Sequence, residues 1–186
     1  MKKYLFLALV IPLIFSLGFI YENNISPTGN LNWKATVCPT IIKSDGSIVK
    51  LECVKNLFVD QGKNFSAEVI SGVDYTSATP GTDFAKYISL SNDSSTPSSS
   101  WTVLPGELNT AGLTRAGGTC ASNGVGNFSC WHTFTATATV SNIQLAGLNW
   151  NGTPLANSLV AANQLSSSVN LESGDELIIN WTVTIS

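Results

Sequence analysis

The side chains with most chemical potential in this sequence are a single histidine, four cysteines and a scatter of carboxylates. A catalytic triad would need a nucleophile and an orienting carboxylate beside His132. No G-x-S-x-G motif surrounds a candidate serine anywhere in the chain. We therefore interpret His132 as a hydrogen-bonded structural residue, and we predict no catalytic residues and no enzymatic activity.

The carboxylates do not gather into a recognisable pair. A glycosidase needs two carboxylates across a cleft, which keeps a secreted hydrolase among the alternatives. The segments 92–94 (Asn-Asp-Ser) and 172–175 (Glu-Ser-Gly-Asp) could supply oxygen ligands to calcium, but their composition is more typical of turns. Zinc is disfavoured because the cysteines lack C-x-x-C spacing. We predict no metal site and no cofactor.

The cysteines fall into two pairs, each set around a hairpin signal. Cys38 and Cys53 flank Asp45-Gly46, a dipeptide that favours a two-residue hairpin loop. With that loop the two cysteines face each other, within reach of a disulfide bond. The second pair is symmetric about Val125, in a predicted loop of residues 123–127. The predicted disulfides are Cys38–Cys53 and Cys120–Cys130, which are typical of an oxidising compartment.

Arg115 is the only arginine in a chain of which 11% is charged. A guanidinium group can form two parallel hydrogen bonds with one carboxylate. We predict that Arg115 and Glu107 form a structural clamp, with a ligand contact as the alternative.

Several N-x-Ser/Thr sequons occur, as expected in a chain rich in Asn, Ser and Thr. Asn92 and Asn151 lie in the most loop-like contexts, so we predict glycosylation there in a host that has the machinery.

The composition and the N-terminal segment indicate export. A net charge of −3 argues against nucleic acid, and 44% hydrophobic residues argue against disorder. Two lysines precede an apolar run, Tyr4–Tyr21, as in a secretory signal. The run is also close to the length of about 20 residues that spans a bilayer, so an uncleaved anchor is the alternative. We predict a signal peptide or membrane anchor over 1–21, a polar tether or assembly arm over 22–30, and one domain over 31–186, outside the cell or on a cell or virion surface.

Short strands separated by turns predict an all-β fold. Glu176–Ser186 alternates apolar and polar residues, as a half-buried antiparallel strand does. Trp101–Leu104 and Asn127–Val140 are also predicted to be strands. Lys63–Ser71 has helical spacing and is followed by glycine. The prediction is an antiparallel β-sandwich of two sheets, jelly-roll or Ig-like, with one short helix and an N-terminal apolar signal or anchor helix.

A string of segments from about residue 56 onward resembles a module of tailed-phage and archaeal-virus structural proteins and related secreted surface proteins. The segments include Asn56–Asn64, Lys86–Asp93, Leu104–Leu108, Gly112–Ala116 and Gly174–Val183. The resemblance implies a β-sandwich with a structural or attachment role and no catalytic residues. The export signal departs from phage tail proteins, which favours a subunit of an extracellular filament, sheath or virion surface.

We therefore predict a non-catalytic subunit that assembles with copies of itself, with strand addition as the mode of contact. No nucleic-acid partner is expected, and membrane contact is expected only through residues 4–21 if they are retained. The alternative is a module that binds a glycan or host receptor, which would need tryptophans clustered on one accessible face. The predicted assembly residues are Asn23, Asn24, Ile25, Leu31, Trp33, Leu177, Ile179, Trp181 and Val183.

Overall fold

The computed structural model of the chain describes residues 32–72, 74, 76–79 and 82–186. The predicted signal or anchor (1–21), the predicted arm (22–30) with Asn23, Asn24 and Ile25, and also Leu31 lie outside the described residues. The rest belongs to one compact unit, Leu31–Ser186. No helix within the described part of the chain is both long enough and apolar enough to cross a membrane. The elements are β1 (Trp33–Ile42), β2 (Ile48–Lys50), β3 (Val54–Lys55), β4 (Leu57–Phe58), α1 (Asp60–Ser71), β5 (Tyr87–Ser91), β6 (Ala116–Gly117), β7 (Thr119–Gly124), β8 (Asn127–Thr135), β9 (Val140–Asn149), β10 (Leu159–Leu171) and β11 (Glu176–Ile185).

The strands form two antiparallel sheets, which confirms the predicted two-sheet, all-β architecture with one short helix. Sheet A has the order β2-β1-β11-β8-β7, and β3 also pairs with β1. Sheet B has the order β4-β10-β9-β5-β6. The main core lies between the sheets, and β1 and β11 each turn alternate residues into it, as period-2 strands with one buried face do.

Sheet B is covered on both faces, which explains two errors in the sequence prediction. Leu159–Asn163 in β10 is buried without a break, so the alternation that marks a half-buried strand is missing there. A second apolar cluster, which includes Leu104 and Leu159, lies apart from the main core, and Trp101 packs against it. The prediction of a strand over Trp101–Leu104 is wrong, because this segment is a loop that covers the sheet.

The predicted strand Asn127–Val140 is also wrong in its second half. β8 ends at Thr135, and β9 begins at Val140. Between them the Ala136 N–H donates to the Asp175 carbonyl at 2.9 Å, and the Thr137 N–H donates to the Ala111 carbonyl at 2.9 Å. Loops from elsewhere in the fold therefore hold this segment as a turn.

The first hairpin corrects the predicted loop but keeps the predicted disulfide. Ile42 faces Ile48, not Val49, and the loop holds three residues that end in Gly46 at a φ of 85°. From Thr40 to Val37 the strand β1 advances three residues while its partner advances four, from Lys50 to Val54. The extra residue restores the register that brings the cysteines together.

Helix α1 begins at Asp60, three residues before the predicted start, and ends before Gly72 as predicted. Gly72 has a φ of 69°, and its N–H donates to the Glu68 carbonyl at 2.8 Å. Phe65 stacks on Trp150 at a centroid distance of 5.0 Å. The helix thus closes one end of the sandwich, beside the end of β9 and the start of β10.

Candidate functional site

Both predicted disulfides are present, Cys38–Cys53 and Cys120–Cys130. Their Cα atoms lie 4.2 Å and 4.1 Å apart. The first disulfide ties β1 to the segment before β3, and the second ties β7 to β8. In the second hairpin the predicted five-residue loop is wrong, because the strands continue to Gly124 and resume at Asn127. Two intramolecular disulfides are compatible with an oxidising compartment.

The predicted assembly surface on the closing strand is wrong. β11 lies between β1 and β8 and pairs with both along its length, so it offers no free edge. The apolar side chains proposed for assembly point into the core and have exposed fractions of 0 to 1%. Trp33 is half-buried and stacks on Phe58 at 5.0 Å. The corrected residues are Leu177, Ile179, Trp181 and Val183.

Arg115 and Glu107 form the predicted clamp inside the fold. Two parallel hydrogen bonds join them, and both side chains are fully buried. Arg115 Nη1 also donates to the Asn151 carbonyl at 3.0 Å and to Ser158 Oγ at 2.8 Å. The Leu155 N–H donates to Glu107 Oε2 at 3.1 Å. These contacts join the loop before β6 to the loop between β9 and β10, so the pair serves the structure.

His132 has the contacts of a structural residue. Its Nδ1 donates to the Gly117 carbonyl at 3.1 Å, and its ring packs edge-on against Phe134 at 4.6 Å. Burial lowers the pKa of the imidazole, and the hydrogen bond to Gly117 opposes that shift. The hydrogen bond to the Gly117 carbonyl and the contact with Phe134 hold the His132 ring in place, as expected for a structural histidine.

The two segments considered for calcium are turns. Asp93 accepts the Ser95 N–H at 2.7 Å in the first. In the second, Asp175 is buried and accepts from Lys43 Nζ at 2.7 Å and from the N–H groups of Ser44 and Glu172 at 2.9 Å each. The Lys43 hydrogen bond, followed by those two, lowers the pKa of Asp175 to about 2. Among the described residues, no three His, Cys, Asp or Glu side chains converge on a point that could hold a metal ion.

Asn92 and Asn151 both lie in exposed loops. Asn151 Oδ1 accepts the Thr153 N–H at 2.8 Å, which fixes this sequon as a turn. Their glycosylation stays a prediction.

The tryptophans do not share a face, so they form no aromatic binding platform. Trp150 and Trp181 are buried in the main core. Trp101 packs against the second apolar cluster, and Trp33 packs against the main core. Trp131 is 38% exposed on the outer face of β8.

The unprotected edge of sheet A is β7. All six of its residues are exposed, and within the described part of the chain it pairs with β8 alone. Its sequence, TCASNG, holds no charged residue and no proline, which are the usual means of blocking an edge. The opposite edge of sheet A carries Lys50 and Lys55, whose charges disfavour pairing with another chain. The edge strands of sheet B, β4 and β6, are each only two residues long, which also limits such pairing.

The orientation of the β7 backbone follows from its disulfide. Directly opposed residues in an antiparallel pair have Cα atoms about 4.5 Å apart where they exchange no hydrogen bonds and about 5.5 Å apart where they do. Cys120 and Cys130 are 4.1 Å apart, so they are a pair that exchanges none. The N–H and C=O groups of Cys120, and of Ser122 two residues on, therefore point away from β8.

An apolar groove of about 630 Å³ opens beside this edge. Residues of both sheets line it, among them Trp33, Phe128 and Ile185 of sheet A and Leu148 and Val160 of sheet B. Its wall includes Val69 and Ile70 of α1 and Phe84, which are 47%, 72% and 53% exposed. Among the described lining residues only Asp83 and Lys86 carry charge.

Sequence reasoning missed both the edge and the groove. The segment of β7 is small and polar, so it has no strand signal of its own. The apolar pair Val69-Ile70 lines the groove, but its spacing with Phe65 is also that of an ordinary core-facing helix stripe, so it gave no specific sign.

No protein-family model, no curated protein and no solved structure matches this chain.

Proposed function

We propose that this chain is an exported, non-catalytic structural subunit that assembles with copies of itself outside the cell. The observation that carries the proposal is the edge strand β7, which is exposed and uncharged and which, among the described residues, pairs on one side alone. Native monomers block such edges because an open row of N–H and C=O groups pairs with another chain. A strand of another chain can pair with such an edge, and the apolar groove beside it can bury apolar side chains of that strand.

The composition and the disulfides support the same proposal. A chain with 11% charged residues and a net charge of −3 repels its own copies weakly. Two disulfides and the basic-then-apolar N-terminus are typical of an exported chain. An extracellular filament, a sheath and a virion surface are the assemblies that fit these properties.

The test is electron microscopy and sedimentation of the purified exported protein with one edge variant. Ser122→Pro removes an N–H that points away from β8, so it blocks the edge without removing a β7–β8 hydrogen bond. We expect the unmodified protein to form polymers and Ser122→Pro to remain monomeric with an unchanged unfolding midpoint. Ser122→Val keeps the N–H and the strand propensity, and it should polymerise as the parent does.

Two results would count against the proposal. A monodisperse monomer from the unmodified protein at high concentration would remove self-assembly as the function. Polymers from Ser122→Pro would show that assembly uses another surface.

A glycan-binding role is the second candidate, and Trp131 is the observation that favours it. Its exposed indole lies on the outer face of sheet A beside Asn180, with which it is paired across the strands. A Trp131→Ala variant that loses selective binding on a glycan array would promote this role, because a sugar ring stacks on an exposed indole.

A further inference from the structure

We infer that the apolar groove receives residues 23–31 of a second copy, added as a strand along β7. This inference rests on the proposed function and names the partner and the site. For this inference the arm means residues 23–31, which is the predicted arm without Glu22 and with Leu31. These residues lie outside the described residues.

The groove needs an occupant that is both apolar and strand-like. One side of it is the free backbone edge of Cys120 and Ser122, and the rest is apolar side chains. A strand laid along β7 would satisfy the free N–H and C=O groups and would also cover Phe128 and Ile185 in the groove. A ligand without a peptide backbone would satisfy only the apolar part.

The sequence of the arm has the alternation that such a strand requires. From residue 24 on, its odd positions are apolar or small, and its even positions are amides or hydroxyls. The alternation continues in phase with β1, where Ala35, Val37 and Ile41 are the buried odd positions. In an added strand the odd side chains would enter the groove, and the even ones would face solvent. The odd residues are Ile25, Pro27, Gly29 and Leu31, and the even ones are Asn24, Ser26, Thr28 and Asn30.

The position of Pro27 agrees with this orientation. Successive residues of a strand direct their N–H groups to opposite sides, so all odd residues direct theirs to the same side. If the even residues bond to β7, the missing N–H of Pro27 falls on the outer side of the added strand, where proline is tolerated.

The connection of the arm to the fold favours a second copy. Trp33, the first residue of β1, lines the chain's own groove, but β11 and β8 lie between β1 and β7 in sheet A. An arm that continued β1 in line would therefore not lie along its own β7. A nine-residue arm spans about 30 Å when extended, which is enough to reach β7 of a neighbour and lie along it. Each copy then carries one arm and one groove, so the contact is head-to-tail and generates a filament.

The first experiment compares the same substitution at an odd and at an even position of the arm, so that the even position is the control. Leu31→Asp places a carboxylate in the groove, and Asn30→Asp places the same carboxylate in solvent. We expect Leu31→Asp to lower the sedimentable fraction by at least about tenfold, because an unpaired charge is costly to bury. We expect Asn30→Asp to stay within about twofold of the parent, as a rim charge does.

The matching groove variant is Ile70→Asp, with Ile48→Asp as its control. Ile70 is 72% exposed on the groove wall, and Ile48 is 62% exposed on β2, so neither change should unfold the protein. Only Ile70→Asp should block polymer formation.

Mixing the two blocked variants identifies the occupant. Leu31→Asp retains a normal groove and Ile70→Asp retains a normal arm, so the mixture should give a one-to-one dimer that cannot extend. Light scattering after size-exclusion chromatography measures its mass. Variants that stay monomeric when mixed would overturn the second copy as occupant. Polymers that tolerate Leu31→Asp would overturn the inference and leave the proposed function standing, whereas absence of polymer from the unmodified protein would overturn the proposed function itself.

Discussion

Arg115 and Glu107 meet in two parallel hydrogen bonds, Nε to Oε1 at 2.8 Å and Nη2 to Oε2 at 2.6 Å, with neither side chain exposed to solvent. Both ions have lost their hydration, so each depends on the other and on the loop groups around them. This buried pair joins the loop before β6 to the loop between β9 and β10.

Replacing one partner of this pair should destabilise the protein severely. Arg115→Met leaves the Glu107 carboxylate buried without a counter-ion, and we expect a loss of about 3–5 kcal/mol in the free energy of unfolding. The double variant Arg115→Met/Glu107→Leu should cost less than the sum of the two single changes, since it leaves no buried charge. Urea unfolding of the four proteins measures both quantities. A single-variant loss below about 1 kcal/mol would contradict the role of the pair.

Asp175 should make stability depend on pH in the acid range. Its pKa lies at about 2 in the fold, against 3.8 for an unperturbed aspartate, so the unfolded chain binds the proton more readily. The stabilisation is therefore fully present above about pH 4 and is lost as pH falls through 2. We expect Asp175→Asn to be less stable than the parent at pH 6 and to match it near pH 2. Asp74→Asn, at an exposed position, is the control for the loss of one negative charge.

The disulfide in the edge hairpin should control local opening of β7. Cys120 and Cys130 are 10 residues apart in sequence, and cross-links of that span contribute about 3 kcal/mol through the unfolded chain. Because β7 is held by β8 alone within the described residues, we expect Cys120→Ala/Cys130→Ala to raise amide exchange in β7 before other strands. Removing Cys38 and Cys53 should not loosen β7. Equal exchange in both variants would contradict this prediction.

Gly62 should not tolerate a side chain, although it lies in a helix. A Cβ at this position would overlap the Val160 carbonyl, which also accepts the Val59 N–H at 3.2 Å. Alanine gains about 1 kcal/mol in helix propensity, but the overlap forces the helix off β10 at a cost of about 1–3 kcal/mol. We expect Gly62→Ala to lower the unfolding midpoint. Ala67→Gly, at an exposed position of the same helix, should lose only the propensity term.

The sequence predicted the features that depend on local residue patterns or on two residues that must pair, such as the disulfides and the buried ion pair. The Cys38–Cys53 pairing was correct although the loop around Gly46 was predicted one residue too short, because an extra residue before β3 absorbs the difference. The clamp of Arg115 was predictable because a lone arginine in an almost uncharged chain needs a carboxylate.

The remainder depends on tertiary arrangement. β10 was not predicted because both of its faces are covered near Leu159. The alternation of apolar and polar residues that marks a half-buried strand is therefore missing there. Residues of β11 were predicted to take part in assembly because the strand alternates apolar and polar residues. That pattern is the same for a half-buried strand in the centre of a sheet and for one at its edge. The groove forms where strands of both sheets, helix α1 and residues 83–86 come together, which no local segment encodes.

The central position of β11 also fixes the order in which the fold can be completed. The β1–β2 hairpin and the β7–β8 hairpin can each close from contacts that are local in the sequence. They remain two separate fragments until residues 176–185 emerge from the ribosome and enter between them. Sheet A is thus finished last and across the greatest distance along the chain, which makes folding slow. The sandwich can therefore close only after its last strand has been made.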